Sequence, residues 1–341
     1  MGSMALQGDQ KSEATESVRR KGCLFWLGRG LLAAGILLLG VALVSVGFEA
    51  AAARTDRRAY SPPGQLVDVG GYRLHIQCLG EGSPTVILES GAGEASPMWG
   101  WIQPQLAAST RVCAYDRAGF GWSENGPQPR DAQQIVNELH LLLQNAGVQP
   151  PYLLAGHSLG GELMRLYAGE HPDQVMGLVL IDSSHPEQMT RMPGIQQETA
   201  QGRLLTRAAM VAAPFGLMRL YWGDGGPNPD LPAQASDAMQ AFFSTARPYQ
   251  TMLDEDRARP QLDSQVAAVE TLGALPLIVL SQDTSGEWMV LQEELSGLSS
   301  QSEWRVVEGA SHMGLLTDQE YASQTGAAIQ ALVEEIRIAT P

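Results

Sequence analysis

A serine stands between two glycines at residues 155–161, which read AGHSLGG. Gly156, Ser158 and Gly160 fit the pattern G-x-S-x-G, in which a tight turn from strand to helix strains the serine backbone and lifts its hydroxyl above the sheet. The backbone N–H of Leu159 comes at the start of the following helix, where it has no helical partner and can bind a developing oxyanion. The pattern predicts a nucleophilic serine, with a purely structural turn as the alternative. We expect His157 to pack or hydrogen-bond locally rather than to act as the base.

Strand-like runs alternate with helix-like segments around this turn. Eight such runs follow one another from residue 65 onward: QLVDV, YRLHIQC, TVILE, RVCAY, YLLAG, GLVLID, LPLIVL and EWRVVEG. The first two are separated by Gly-Gly, which is a hairpin signal. Helix-length segments join most of the others, which predicts an α/β fold with a largely parallel sheet covered by helices on both faces.

A long insertion separates the sixth and seventh strands. It has about ninety residues, too many for one crossover helix, and we predict that residues 184–272 form a helical cap. Its methionines and aromatic residues are typical either of an ordinary apolar core or of the lining of an apolar pocket. They are Met189, Met192, Met210, Met218, Met239, Met252, Phe215, Trp222, Phe242 and Phe243.

With this turn and this order of elements, the chain from about Gln65 to its end resembles the α/β-hydrolase family. The resemblance implies an eight-stranded, mostly parallel sheet with an antiparallel first hairpin, and a triad in the chain order serine, acid, histidine. It also implies that the base lies in the loop after the last strand, where EWRVVEGASHMG contains His312. A histidine in this position takes the proton of Ser158 and returns it to the leaving group.

The resemblance implies an oxyanion loop after the third strand, where TVILE is followed by SGAGE. Many members have His-Gly at the first two places of this loop, and Ser90 replaces the histidine here. The donor would be the backbone N–H of Ala92, which needs no particular side chain. A plain glycine loop is the alternative. The segment YDRAGFGWSE resembles the family's turn after the fourth strand, and we interpret Asp116 and Arg117 in it as structural.

Two aspartates are candidates for the third triad member, which orients His312 and stabilises its imidazolium. The family most often uses the loop after the seventh strand, where LPLIVLSQD offers Asp283, although the usual position would fall near Ser285. Asp182 ends the sixth strand in GLVLIDSSHPEQ, a position that some lipases of this fold use. We prefer Asp182 and keep Asp283 as the alternative, and an ordinary aspartate at a strand end is the competing interpretation of each.

Cys78 ends the second strand and Cys113 lies in the fourth, and the family places these strands side by side. Cross-strand partners approach within disulfide reach, about 4.4–6.8 Å between Cα atoms. We expect a disulfide if this part of the chain lies outside the cytoplasm, with two buried free thiols as the alternative. The sequence contains no CxxC, Cys/His cluster, P-loop or GxGxxG, so we predict neither a metal site nor a cofactor.

The N-terminal part of the chain predicts a membrane anchor. Residues 31–48 form an uncharged apolar run, about the minimum length that spans ~30 Å of hydrocarbon. Basic residues in the head, 1–30, favour a cytoplasmic N-terminus and a body on the non-cytoplasmic side. Residues 49–64 are interpreted as a tether, and the predicted core comprises 65–183 and 273–341. The alternative is a signal peptide whose cleavage releases a secreted protein.

Charge is unevenly distributed along the chain. The formal net charge is −15, yet the first 58 residues contain 8 Lys/Arg and 5 Asp/Glu, which leaves 14 and 32 in the remainder. An acidic body repels phosphate backbones, so we predict no nucleic-acid partner.

These features predict a membrane-tethered serine hydrolase of carboxylesterase or lipase type, which cleaves small-molecule esters with an apolar acyl group. Aminopeptidase, thioesterase, lactonase and cofactor-free haloperoxidase activities remain open, because one fold hosts many reactions. A serine at position 158 disfavours haloalkane dehalogenase and epoxide hydrolase chemistry, which needs a carboxylate there. The alternative outside the enzymes is a ligand-binding relative without turnover, which a broken triad would reveal.

Overall fold

The computed structural model describes residues 6–223 and 226–339. The chain divides into two compact units between Ala52 and Ala53. Helix α1 (Leu6–Ala59) begins in the first unit, and from Phe25 onward it is long and apolar enough, by length and composition, to cross a membrane. Because α1 ends only at Ala59, most of the segment interpreted as a tether is helical.

In the part of the chain that the structure describes, eight strands form one sheet in the order β1-β2-β4-β3-β5-β6-β7-β8. β2 pairs antiparallel with β1 and with β4, and all other pairs are parallel. The predicted eight-stranded, mostly parallel sheet and its antiparallel first hairpin are confirmed. The strands are β1 (Gln65–Asp68), β2 (Arg73–Leu79), β3 (Thr85–Glu89), β4 (Val112–Tyr115), β5 (Tyr152–His157), β6 (Val175–Ile181), β7 (Leu277–Gln282) and β8 (Ser302–Val307).

The core lies on both faces of this sheet. Neighbouring residues of a strand point to opposite faces, so Leu154 of β5 packs in one apolar cluster and Leu153 in the other. β5 is buried along its whole length, which explains why it reads as one apolar run rather than as an alternating pattern. The helices that flank the sheet are α2 (Ile102–Ala107), α3 (Ala132–Asn145), α4 (Leu159–Glu170), α10 (Glu287–Ser296), α11 (Gly314–Thr317) and α12 (Gln319–Ala339).

Five helices lie between β6 and β7 among the described residues. They are α5 (Gln188–Arg191), α6 (Pro193–Ala212), α7 (Leu217–Trp222), α8 (Ala233–Phe243) and α9 (Arg247–Ala267). α9 packs on α3 and α4, and α6 packs on α9. No residue of α6 is buried, so this helix lies at the surface of the body.

Cys78 and Cys113 face each other across β2 and β4, whose antiparallel register pairs these two residues directly. The structure joins them by a disulfide, with their Cα atoms 4.0 Å apart. The bond closes a loop in which the two cysteines are separated by 35 positions. This loop contains β3 and the segment that follows it, so the bond restrains the part of the chain that leads to Ala92.

Replacement of both Cys78 and Cys113 by alanine is expected to lower the free energy of unfolding by about 4 kcal/mol, because the open loop gives the unfolded chain more conformational entropy. Urea unfolding of the full chain in detergent micelles measures the effect. Cys23→Ala is the matched control, since Cys23 lies outside the loop. A double variant as stable as this control would contradict the predicted contribution.

Candidate active site

Ser158 lies at the turn between β5 and α4. Its backbone has φ 53° and ψ −122°, a conformation with positive φ that residues other than glycine rarely adopt. The two flanking glycines permit this turn. A Cβ at Gly156 would overlap the carbonyl oxygen of Gly160, and a Cβ at Gly160 would overlap that of Glu89. The structure therefore contains the strand, strained serine and helix that the sequence pattern predicts.

Two residues whose backbone N–H groups could bind an oxyanion line the same cavity as Ser158. Leu159 is the first residue of α4, and Ala92 lies in the loop that follows β3. Ala92, Ser158 and Leu159 all line one cavity. Within the described residues, neither N–H has a hydrogen-bond partner. Donors fixed in this way before a substrate arrives are suited to a developing negative charge on oxygen.

Arg117 holds the loop after β3. Its guanidinium donates to the carbonyl oxygens of Ser90 at 2.6 Å and of Gly91 at 2.7 Å. It also pairs with the carboxylates of Glu89 at 2.7 Å and Glu255 at 2.9 Å, and all three charged side chains are buried. Burial raises the pKa of Glu89 to about 7, against the opposing charge of Arg117. The sequence indicated a structural arginine here, but its contact with this loop was missed.

His312 lies in the loop after β8, and its Nδ1 is 2.5 Å from Oδ2 of Asp182. Asp182 follows β6, is fully buried and has a positive φ of 41°. Its other oxygen accepts from the backbone N–H of Gln282 at 3.1 Å and from the indole N–H of Trp288 at 2.8 Å. This carboxylate is held on both oxygens, so Nδ1–H of His312 donates to it and Nε2 is left to exchange a proton.

Asp283, the alternative acid, makes contacts of a different kind. Its carboxylate accepts from the backbone N–H of Gly309 at 3.0 Å, and its own N–H donates to the carbonyl of Ala310. The side chain is exposed. Of the two aspartates considered from the sequence, the structure brings Asp182 to the His312 ring and leaves Asp283 in a turn.

Two residues that hold Asp182 and His312 in place were not predicted from the sequence. The side-chain oxygen of Gln282 accepts from the backbone N–H of His312 at 3.0 Å, and the ring of Trp288 stands edge-on to the His312 ring at 6.1 Å. A glutamine and a tryptophan carry no motif by themselves. Their position, Gln282 at the end of the seventh strand and Trp288 shortly after it, was the only available signal.

His157 bridges two loops of the site. Its Nε2 lies 3.0 Å from the backbone carbonyl of His312, and its Nδ1 lies 3.2 Å from Oε2 of Glu94. The same carboxylate oxygen accepts from the backbone N–H of Gly91 at 2.5 Å. A carbonyl and an ionised carboxylate only accept hydrogen bonds, so both ring nitrogens of His157 face acceptors, an arrangement that favours the imidazolium. His157 was expected to pack or hydrogen-bond locally, and in the structure it forms a buried ion pair with Glu94.

The pKa values of this buried pair agree with its hydrogen bonds. Burial by itself would lower the pKa of His157, but the adjacent Glu94 carboxylate raises it above the ordinary 6.5. Burial would raise the pKa of Glu94, but His157 and the N–H of Gly91 lower it below the ordinary 4.5. The pair therefore stabilises the fold fully between about pH 4.5 and 6.5, and less as pH rises through the folded pKa of His157 or falls through that of Glu94.

Two open cavities meet at Ser158. One of about 310 Å³ is lined by the loop after β3 and by side chains of α6 and α9, among them Met252. The other, of about 710 Å³, is lined by His312, by Trp288 and by residues of α5 and α6. The serine therefore has room on two sides, as a reaction that separates a molecule into two parts requires.

Charged side chains line part of the smaller cavity, among them Arg203, Asp256 and Arg259. Arg203 and Asp256 approach to 3.2 Å, and Arg259 approaches Glu162 to 2.6 Å. Glu162 is buried, and burial raises its pKa to about 7 although Arg259 lowers it. Since each charge has an opposite partner, this wall is polar without a large excess of either sign.

One group of side chains among the described residues has the spacing of metal ligands, His185, Glu187 and Glu294. Arg191 lies among them, with Nη1 2.6 Å from Glu294 and 3.3 Å from Glu187. The guanidinium neutralises both carboxylates, so the group is an ion-pair network at the surface.

The His157–Glu94 pair predicts a measurable stability effect. His157→Phe is expected to lower the free energy of unfolding by about 3–5 kcal/mol at pH 6, because Glu94 is left buried without a counter-charge. The combined variant His157→Phe, Glu94→Gln removes that charge and keeps an acceptor for Gly91, so it should recover part of the loss. Urea unfolding of the three proteins gives the comparison. A double variant no more stable than His157→Phe would contradict the ion pair.

Comparison with known proteins agrees with this architecture. A family model described as the alpha/beta hydrolase fold matches residues 84–319. An uncharacterized protein of Schizosaccharomyces pombe is 26% identical over 303 residues, which cover 76% of this chain and 54% of that protein. The chain spans about half, or less, of the length of the first curated relatives it matches.

Solved structures share the fold at low sequence identity. An esterase from Thermogutta terrifontis has a TM-score of 0.60 at 19% identity, covering 80% of this chain and 98% of its own. A Vigna radiata epoxide hydrolase mutant has a TM-score of 0.60 at 18% identity, with the same two coverages. Such likeness concerns the fold alone. Since the family match extends over well more than half of the sequence, the chain belongs to the α/β-hydrolase fold family.

Proposed function

We propose that this protein is a serine hydrolase that cleaves carboxylic esters through an acyl-enzyme intermediate. The observation that carries the proposal is the 2.5 Å contact between His312 Nδ1 and Asp182 Oδ2, with His312 and Ser158 lining one cavity. A serine in a strained turn, a histidine and a buried carboxylate form the set of groups that activates a hydroxyl for attack on a carbonyl.

Each group has one task in the proposed reaction. Ser158 Oγ attacks the ester carbonyl carbon while Nε2 of His312 takes its proton, and Asp182 stabilises the imidazolium that results. The N–H groups of Ala92 and Leu159 donate to the oxyanion of the tetrahedral intermediate. His312 then gives its proton to the departing alcohol oxygen, and the acyl group stays on the serine. Water, deprotonated by His312, attacks that acyl group and releases the acid with regeneration of the hydroxyl.

The helices between β6 and β7 act as a cap in this proposal. α6 and α9 supply walls of the smaller cavity, and α5 and α6 supply walls of the larger one. Residues 184–272 would thus select the substrate, while the core, 65–183 and 273–341, carries the chemistry. Methionines such as Met189 and Met252 at the smaller cavity support an apolar acyl group.

The proposed location is a membrane with the body on the non-cytoplasmic side. The apolar length of α1 supports anchoring, and the basic head before it supports this orientation. Release after cleavage of a signal peptide is the competing location. A disulfide between Cys78 and Cys113 is in keeping with either, because both place the body in an oxidising compartment.

Other reactions of the family differ in what they require at position 158. Epoxide and haloalkane hydrolysis need a carboxylate nucleophile there, and this chain has a serine. Aminopeptidase, thioesterase, lactonase and haloperoxidase activities use the same groups, so a panel of substrates has to separate them from simple esterase activity.

A fluorophosphonate probe tests the nucleophile. We expect one adduct per chain, located on Ser158, because only a serine activated by a neighbouring base reacts at a useful rate. Ser158→Ala should abolish labelling and lower kcat by about 10⁶-fold. Ser184→Ala is the matched control, since Ser184 lines the same two cavities, and it should still label at Ser158. An adduct on another residue, or no adduct in folded protein, would overturn the proposal.

The two aspartates give a second test. Asp182→Asn is expected to lower kcat by about 10⁴-fold, because the amide holds His312 in the wrong tautomer. Asp283→Asn should change kcat less than about tenfold, since that carboxylate serves a turn. Hydrolysis of p-nitrophenyl acetate by the two purified variants provides the comparison. Equal losses in both variants would contradict the assignment of Asp182.

A further inference from the structure

Exposed apolar side chains are concentrated on two neighbouring helices of the body. Among the described residues beyond α1, eleven large apolar side chains are exposed, and seven of these lie within 204–221. A patch of this kind on a folded protein marks contact with a partner or a membrane. We call the seven residues the apolar face: Leu204, Leu205, Val211, Phe215, Leu217, Leu220 and Tyr221.

The apolar face and the active site lie on different sides of α6. Leu204 and Val211 are seven positions apart, which places them on one side of the helix. The α6 residues that line the smaller cavity beside Ser158 follow a different helical stripe. They are Ile195, Thr199, Gly202, Arg203 and Thr206. α6 therefore separates the apolar face from the nucleophile by the width of one helix.

The last turns of α1 are bound to α7. The carboxylate of Asp56 lies 2.7 Å from the guanidinium of Arg219, the residue before Leu220. The carbonyl of Tyr60, just after α1, accepts from the indole N–H of Trp122 at 2.7 Å. These contacts fix the chain to the body immediately after the apolar stretch.

Connectivity then limits how far α7 can lie from the membrane. Eight positions separate Asp56 from Phe48, the last residue of the predicted span, a distance of about 12 Å along a helix. The polar layer on each side of the hydrocarbon is about 5–8 Å thick. Asp56, and α7 with it, therefore lies no more than about 12 Å from the hydrocarbon, within a few Å of the outer edge of the polar layer.

The charge around the apolar face identifies its occupant. Residues 193–222 contain three arginines and one glutamate, and residues 53–60 contain three arginines and one aspartate. The part of the chain beyond Arg58 has 14 basic and 32 acidic residues. An apolar surface with an excess of arginines on an otherwise acidic body suits the headgroup region of a membrane, whereas two acidic bodies repel one another.

We propose that the apolar face lies in the headgroup region of the membrane that holds α1, and that the substrates are amphiphilic esters which reach Ser158 from the bilayer past α6. The inference rests on the proposed anchor and ester chemistry. It adds two features to the proposed function. The cap contacts the lipid in addition to α1, and the substrate enters from the side of the bilayer.

Depth-dependent quenching tests the placement without any need for catalysis. The full chain with Cys23→Ser and Leu220→Cys is labelled with bimane and reconstituted in vesicles of phosphatidylcholine with one part in about four of phosphatidylglycerol. We expect a blue shift of the bimane emission and quenching by a lipid with a nitroxide near the headgroup. Ile338→Cys in the same background is the matched control, since Ile338 is equally exposed on α12, and its label should show neither effect.

Hydrolysis of a membrane-embedded ester and of a soluble ester provides the second test. Leu220→Asp should lower the hydrolysis of a lipid ester embedded in these vesicles by about tenfold, and leave the hydrolysis of soluble p-nitrophenyl acetate unchanged. Ile338→Asp should alter neither rate. Equal loss on both esters would assign Leu220 to stability of the cap and overturn the inference.

The outcomes separate this inference from the proposed function. Quenching at position 220 with no turnover of any ester would uphold the membrane contact and refute the esterase. Full esterase activity with no lipid quenching at position 220 would refute the membrane contact alone. A blue shift without lipid quenching that grows with the ratio of protein to lipid would point to a second copy of the chain and overturn the inference.

Discussion

The strained backbone of Ser158 is the constraint on which the rest of the site depends. A serine at φ 53° is tolerated because its N–H donates to Ile181 and its carbonyl accepts from Gly161 and Ser184. Ile181 ends β6, so the turn is complete only when β5 and β6 are paired in the middle of the sheet. The strain stored at one residue is therefore offset by the pairing of two buried strands, which also fixes where the hydroxyl lies.

Buried ion pairs connect the loops that meet at this serine. Arg117 holds the loop after β3 through two of its carbonyls. The pair of His157 and Glu94 joins the same loop to the backbone of His312. Asp182 lies at the carboxyl end of β6 and orients the His312 ring. Side chains at the carboxyl ends of parallel strands converge in this way because all those ends lie at one edge of the sheet.

The sequence predicts the parts of this arrangement that have local signals. Ser158 stands in a turn whose glycines can be recognised, and buried parallel strands read as short apolar runs. His312 follows from its place after the last strand, once the family resemblance is recognised. The sequence decides less firmly between Asp182 and Asp283 as the triad acid. That role depends on which carboxylate the neighbouring strands bring to the His312 ring.

Long-range contacts account for most of what the sequence did not predict. Arg117 reaches Glu255, which is 138 positions away, and Trp288 reaches Asp182 across 106 positions. No pattern of nearby residues encodes such pairs. The continuation of α1 to Ala59 was also missed, since the charged residues after the apolar run are compatible with either a helix or a flexible tether.

Capture of the acyl-enzyme tests the central claim most directly. Enzyme mixed with excess p-nitrophenyl butyrate and quenched in acid within its first turnover should show a burst of one p-nitrophenol per chain. Peptide mass spectrometry of the quenched protein should find a butyryl group on Ser158, and none in His312→Ala. Slow acylation would also give steady turnover without a burst, so the site of modification is the deciding result. A butyryl group on any residue other than Ser158 would contradict the account.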